Sequence, residues 1–394
     1  MNQRIYLDHA ATTEMLPEVA YAMEPYFVKK YGNASTSYEL GVEARKAMEN
    51  AREQIAGIIG AKPEELFFTS GGSESDNWAI KSIAGDRKHI GQHVLTSKIE
   101  HHAVLHSCEY LEGLDYRVSY LDVDKDGIVN LEQMKQLVEE GERKRVMGNR
   151  DRVTLISVMY GNNEIGTLQP VDEIGRLARG HDVYFHTDAV QAVGQMPISV
   201  RKVPIDLLSA SAHKFHGPKG VGFLYVREGL NIPSFIHGGA QEKGKRAGTE
   251  NVAGIVGMAK ALSIADSEMV RKRREITALR NYFAERVLRE IPNVRLNGHA
   301  NKRLPGNLNF SIRDIEATAL LILLEEEGIL ASAGSACNTG VTRLSHVIEA
   351  IDVPKEYAYG SIRFSLGRDT TKKDVDKTID ILKKSVKILR GATV

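Results

Sequence analysis

Two cysteines in 394 residues, Cys108 and Cys337, are too few for a disulfide framework, and their scarcity fits a reducing cytoplasm. An excess of either charge is missing too. The 52 Lys and Arg against 51 Asp and Glu leave a formal net charge of +1, which gives no electrostatic reason to expect nucleic acid or an anionic membrane as a partner. No apolar run approaches the roughly 20 residues that a membrane helix needs. The opening Met-Asn-Gln-Arg-Ile-Tyr-Leu-Asp lacks the apolar core of a signal peptide. Internal repeats and low-complexity tracts are absent. A cytoplasmic globular protein is expected, long enough for two domains.

What is there centres on Ser-Ala-Ser-Ala-His-Lys-Phe-His-Gly-Pro-Lys-Gly, residues 209–220, with Lys214 in its middle. Residues 206–212 read as a strand of small and apolar residues and 222–226 as another, joined by a tight turn on Gly217, Pro218 and Gly220. At the end of a buried strand, desolvation disfavours a lysine's charge and leaves a free amine near neutrality, the form that condenses with an aldehyde. A lysine snorkelling to water is the alternative.

Other stretches offer the remaining parts of a site. The apolar run at 66–69 leads into Gly71-Gly72-Ser73 and then a helical pattern, so free N–H groups and the helix dipole converge where a phosphate could sit. An ordinary serine N-cap explains the same residues equally well, and no Gly-Lys-Ser/Thr follows to make a P-loop. The strand at 93–97 leads to His101 and His102. The spacing His102-x-x-x-His106 suits two ligands on one helix face, but no acidic partner or third ligand stands nearby in the sequence, so no metal is expected. The run 122–133 mimics a calcium loop, yet Gln133 stands where a bidentate Glu is required, and it reads as a polar turn.

Asp188 closes the apolar strand before Ala-Val-Gln191, either capping a helix or facing a positively charged group. Cys337 sits among Gly, Ser and Ala, which give a loop little core to hold it still, whereas Cys108 lies in a helix-like run. Arg363 is placed in a strand of small and apolar residues, where a guanidinium either takes a carboxylate bidentately or makes a structural ion pair.

The Ser-x-His-Lys-x-x-Gly-Pro-Lys-Gly run resembles the lysine segment of pyridoxal-phosphate enzymes of the aspartate-aminotransferase fold type, and within them the cysteine desulfurases of iron–sulfur assembly. The resemblance extends over the whole chain: Tyr-Leu-Asp-x-Ala-Ala-Thr-Thr at 6–13, Glu100-His101, Asn162-Asn163-Glu-x-Gly, Asp188-Ala-x-Gln191, Arg246-x-Gly-Thr249, Ser-Ala-Cys337 and Arg363-x-Ser-x-Gly. It implies that Lys214 carries the pyridoxal 5'-phosphate and that Gly72 and Ser73 hold its phosphate. Asp188 would pair the ring nitrogen, making the ring an electron sink. By the same resemblance His101 stacks on the ring and acts as acid and base, Gln191 reaches the phenolic oxygen, and Ser211 and His213 flank the lysine. Asn163 and Arg363 would take the substrate, and Thr249 would reach across a homodimer to the neighbouring phosphate. Cys337 would attack the sulfur of L-cysteine and carry a persulfide to an acceptor protein, for cluster assembly or tRNA thiolation. Ala333 before Gly334 and Asn338 after the cysteine depart from the family's pattern.

Strands alternating with helices over 66–226 indicate an α/β fold with a mainly parallel sheet of the seven-stranded type, and a smaller α+β domain. The expected division is 14–264 for the large domain, with 1–13 and 265–394 forming the small one that carries the cysteine. An aminotransferase would have no use for the loop thiol, and a selenocysteine lyase usually sets its cysteine in Arg-x-Gly-x-x-Cys, absent here. A non-catalytic scaffold would have no need to keep both Lys214 and Asp188.

Overall fold

The computed structural model describes residues 4–144, 150–333 and 344–391. Its centre is a seven-stranded sheet in the order Leu66–Thr69, Gly222–Val226, Leu207–Ser211, Tyr184–Asp188, Val153–Ser157, His93–Ser97 and Arg117–Leu121. Only Gly222–Val226 runs against its neighbours; the other pairings are parallel. The expected mainly parallel sheet is therefore present.

Most of its strands are rich in apolar and small residues because both faces are covered. Phe68, Ile156, Phe185 and Leu208 enter one core, with helices Glu39–Ile59 and Val252–Glu290 packed against it. Their strand neighbours Phe67, Leu155, Tyr184 and Leu207 face a second core under helices Gly72–Asp86 and His102–Glu112. Cys108 is in that second core, and burial pushes its thiol up to about 12.

A second, antiparallel sheet joins Ser361–Ser365, Asn307–Ile312 and Val294–Leu296. Its core contains Phe283, Phe310 and Phe364, and it also takes Ile5 and Leu7 from the start of the chain. The short strand Ile5–Tyr6 pairs in parallel with Ile329–Leu330. Helix Val252–Glu290 passes Ala265 without interruption: Met258 and Leu262 pack into the first core, Phe283 and Val287 into that of the second sheet. No helix among the described residues is long and apolar enough to cross a membrane.

Two loops have geometry of their own. The polar run after Arg117–Leu121 is a turn, Asp124 Oδ1 accepting from the N–H groups of Asp126 and Ile128 at 2.9 Å each, and helix Leu131–Lys144 succeeds it. The loop before Val252 holds Glu242, Lys243 and Gly244 at φ of 44°, 59° and 73°. A buried ion pair keeps this left-handed stretch in place: Arg52 Nη2 donates to Glu242 Oε1 at 2.8 Å, while Phe68 N–H donates to Glu242 Oε2 at 2.9 Å.

Candidate active site

Strands Leu66–Thr69, His93–Ser97, Val153–Ser157, Tyr184–Asp188 and Leu207–Ser211 all end on one side of the main sheet, where an open α/β sheet characteristically binds ligands. A cavity of about 400 Å³ lies there. Gly72, Ser73, His101, Asn163, Asp188, Gln191, Ser211, His213, Lys214 and Arg363 line it. Residues separated by nearly three hundred positions are thus side by side. Thr249 is exposed and does not line the cavity of its own chain. Cys337 lies outside the described residues.

Lys214 ends the short helical turn Ala212–Lys214 that follows the strand. Its Nζ donates to the carbonyls of Ala10 at 2.6 Å and Ala11 at 2.8 Å. Burial pushes the ammonium down to about 8, helped by the Arg363 cation and opposed by Asp188 and Asp8. The segment that supplies those carbonyls is pinned alongside: Thr13 Oγ1 donates to the His213 carbonyl at 2.9 Å and accepts from the His216 N–H at 2.8 Å. His213 Nδ1 shares a 3.1 Å hydrogen bond with the Thr12 hydroxyl, and burial with Lys214 and Lys219 nearby lowers that imidazole to about 4.

At one end of the cavity helix Gly72–Asp86 begins. Its first-turn N–H groups, those of Gly72 and Ser73 among them, have no carbonyl a turn earlier to bond. A Cβ on Gly72 would stand 2.5 Å from Val190 Cγ2, so only glycine permits this approach. Ser70 N–H donates to Glu74 Oε2 at 2.7 Å, and Arg246 closes on the same carboxylate with Nε at 2.8 Å and Nη2 at 3.1 Å. The Arg-Ala-Gly-Thr loop is therefore tied to the start of this helix.

In the floor, buried Asp188 accepts the Val190 N–H at 2.9 Å through Oδ1. Desolvation raises its carboxyl above the usual range, with His101 and Lys214 pulling the other way. His101 caps helix His102–Glu112, its Nδ1 accepting the Ala103 N–H at 3.1 Å. A neutral ring that accepts at Nδ1 carries its proton on Nε2, and one nitrogen is left for chemistry. Gln191 spends an amide N–H on the Ala10 carbonyl at 2.9 Å.

Arg363, its side chain 4% exposed, reaches the cavity from the second sheet. Nη2 donates to Asp8 Oδ1 at 2.6 Å and Nη1 to the Asn163 carbonyl at 3.0 Å, while the buried Nε finds no acceptor.

The sequence reading missed several parts. Asp8, Ala10 and Ala11 belong to a motif noted only for its likeness to a family, because two of the three contribute through the backbone. Asp76 was hidden inside a helical run. His102 and His106 do stack, with ring centroids 5.0 Å apart, but His346 also comes within 5.0 Å of His102 and bonds the Glu100 carbonyl through Nε2 at 3.0 Å. The third histidine near the pair is distant in sequence, and only the fold delivers it.

Comparison with known proteins finds relatives over nearly the whole chain. Residues 5–378 match the family described as aminotransferase class-V. The chain is 49% identical over 390 residues to the cysteine desulfurase IscS of Dictyoglomus turgidum, covering 99% of this chain and 96% of that protein. A solved structure titled as a NifS-like protein superimposes with a TM-score of 0.88 at 37% identity, covering 98% of this chain and 100% of the other. Another, titled SspA in complex with cysteine, gives 0.80 at 34% identity over 94% and 100% of the two chains.

Proposed function

The chain belongs to the aminotransferase class-V family, and from that membership we propose how its cavity acts. The protein is a pyridoxal-phosphate-dependent cysteine desulfurase that takes sulfur from L-cysteine for iron–sulfur assembly. The observation that carries the residue roles is the convergence of Lys214, Asp188, His101 and the helix start at Gly72 on one cavity. These residues fit the cofactor. An amine of lowered basicity suits its aldehyde, unbonded N–H groups suit its phosphate, and a buried carboxyl that makes no salt bridge among the described residues suits its ring nitrogen.

Lys214 would hold the cofactor and Ser73 with Gly72 its phosphate. Asp188 would keep the ring nitrogen protonated, His101 would lie against the ring, and Gln191 would turn to the phenolic oxygen. Ser211 and His213 would complete the wall. Bound there, the cofactor supplies an electron sink for the substrate's α-carbon. Arg363 and Asn163 would orient the L-cysteine carboxylate, with Asp8 yielding or sharing the guanidinium. Lys214 Nζ and His101 Nε2 would move the protons. The Cys337 thiolate would attack the substrate sulfur and the carbon–sulfur bond would break. L-cysteine and the enzyme thiol thus become L-alanine and an enzyme persulfide, with no outside oxidant or reductant. The sulfur would then pass to an acceptor protein, an iron–sulfur scaffold or a tRNA-thiolation carrier. The test is stoichiometry: L-cysteine should give alanine and persulfide one for one. Pyruvate as the main product, or turnover of L-selenocysteine alone, would overturn the reading.

We place the enzyme in the cytoplasm on its sparse cysteines. Residues 14–264 would be the large domain, with 1–13 and 265–394 the small one. A homodimer would complete each site, with Thr249 acting on the neighbouring phosphate. What supports this is its exposure at the end of a loop clamped twice, by Arg52–Glu242 and by Glu74–Arg246. Thr249→Ala and Lys214→Ala chains, each impaired alone, should regain activity when mixed and refolded together, because one site of the hybrid is whole. No recovery, or a fully active monomer in sedimentation, would end the dimer reading.

A further inference from the structure

Asp76 stands in the cavity wall without a part in that scheme. It lies one helical turn past Gly72, so the turn that offers N–H groups at its start also directs a carboxyl inward. Asp76 is 1% exposed and its Oδ1 has no hydrogen-bond partner. His186 Nε2 is 3.6 Å away, but that imidazole is no cation. Its two nitrogens are shared with the Ser157 hydroxyl at 2.8 Å and the Ser209 hydroxyl at 3.0 Å, and complete burial lowers it to about 3.

The remaining titratable groups around Asp76 are chiefly acids. Asp188 faces it from strand Tyr184–Asp188, and beyond strand His93–Ser97 stands Glu100, a second buried acid that burial itself pushes up to about 8. Strand Leu207–Ser211 contributes Ser209, which hydrogen-bonds the Asp76 side chain and opposes the effect of burial and of Asp188 without overcoming it. His101 is near as well: one donor atom each from Asp76, His101 and Asp188 lie within 4.8 Å of one another. A wholly buried carboxylate among acids, with no cation of its own, keeps a proton instead of its charge.

We propose that Asp76 is a positioning residue for Asp188, a neutral carboxyl that lets the pair present one negative charge, on Asp188, to the positively charged ring nitrogen. The inference rests on the pyridoxal-phosphate reading of this cavity. One ring charge then meets one carboxylate. The proton on Asp76 prevents a second, uncompensated charge from forming under the ring.

Asp76→Asn keeps the shape and is neutral at every pH. Its apo form should melt a few degrees above apo wild type at about pH 8, with the gap closing as pH falls towards about 4. The sign comes from the raised folded value. Unfolded wild type gives up the proton above the ordinary carboxylate range while the folded chain retains it, so wild-type stability falls as pH rises through that window and the variant's does not. Cofactor affinity, measured by adding pyridoxal phosphate to the apo protein at neutral pH, should weaken by less than about tenfold, the worth of one pK unit. A larger loss would make Asp76 an ionised partner of the ring and overturn the proposal. A melting difference that ignores pH would also overturn it, since that is what a purely structural role gives. Asp76→Ser, smaller and equally neutral, repeats the series should the Asn variant fail to fold. Wild type that takes up no pyridoxal phosphate would sink the functional reading instead.

Discussion

Lys214→Ala is expected to purify colourless and to release no alanine from L-cysteine, while the wild type is yellow with an absorbance band near the edge of the visible. The amine sits on the cavity wall bonded to the carbonyls of Ala10 and Ala11, and among the described residues no other lysine lines the cavity. Its lowered basicity makes the prediction quantitative. With a value of about 8, roughly one lysine in ten is a free amine at pH 7, about 300-fold more than for an ordinary lysine. Capture of added pyridoxal phosphate by the apo protein should therefore speed up about fivefold between pH 7 and 8 and gain no more than about twofold above it. An unperturbed lysine would keep accelerating by about tenfold per pH unit to about pH 9. A variant that stays yellow, or a wild type that stays colourless after incubation with the cofactor, would refute the assignment of Lys214.

How much of this was legible beforehand depends on what kind of atom does the work. Side chains placed at the ends of parallel strands were readable. A strand buried on both faces is rich in apolar and small residues, and the ionisable side chain at or shortly beyond its end stands out: Asp188 after Tyr-Phe-His-Thr, His101 beyond Val-Leu-Thr-Ser, Lys214 beyond Leu-Leu-Ser-Ala-Ser. Knowing that these ends share one side of a sheet is enough to collect them into a site. Backbone acceptors carry no such mark. Ala10 and Ala11 hold Lys214 and Gln191 through carbonyls that any residue could supply.

Asp8 was hidden for a second reason. Its carboxylate pairs with Arg363 only because the chain's start enters the second sheet's core beside a strand from its far end. Asp76 was hidden for a third. Within Ser-Glu-Ser-Asp-Asn it looks like one more polar residue of a helix start, and only complete burial with an unpartnered oxygen distinguishes it. Helix Val252–Glu290 shows the converse: its sequence is helical throughout, and only the two cores reveal that one rod serves both sheets.

The second large effect is expected at Cys337, and it separates sulfur transfer from every other reaction the same cofactor could support. Binding depends on Lys214, Asp188 and the helix start at Gly72, none of which needs a thiol. Cleavage of the carbon–sulfur bond does need a nucleophile on the substrate sulfur, and a thiolate is far better at this than a hydroxyl. Cys337→Ser should stay yellow and still change its spectrum on adding L-cysteine, yet release alanine at least about 100-fold more slowly and carry no persulfide, the order of loss expected when a committed nucleophile is replaced. Cys108 supplies the control. It is fully buried on the inner face of helix His102–Glu112, and burial pushes its thiol up to about 12, so almost no thiolate exists at neutral pH. Cys108→Ser should therefore turn over L-cysteine like wild type. It should unfold somewhat more easily, by about 1 kcal/mol, because a hydroxyl in this core exchanges its hydrogen bonds to water for Thr96 as its neighbouring polar side chain. Alanine release and persulfide labelling on both variants, side by side, decide the matter. If Cys337→Ser kept the wild-type rate, sulfur would be leaving by a route without this thiol. If Cys108→Ser lost persulfide while Cys337→Ser kept it, the two cysteines would have to exchange roles.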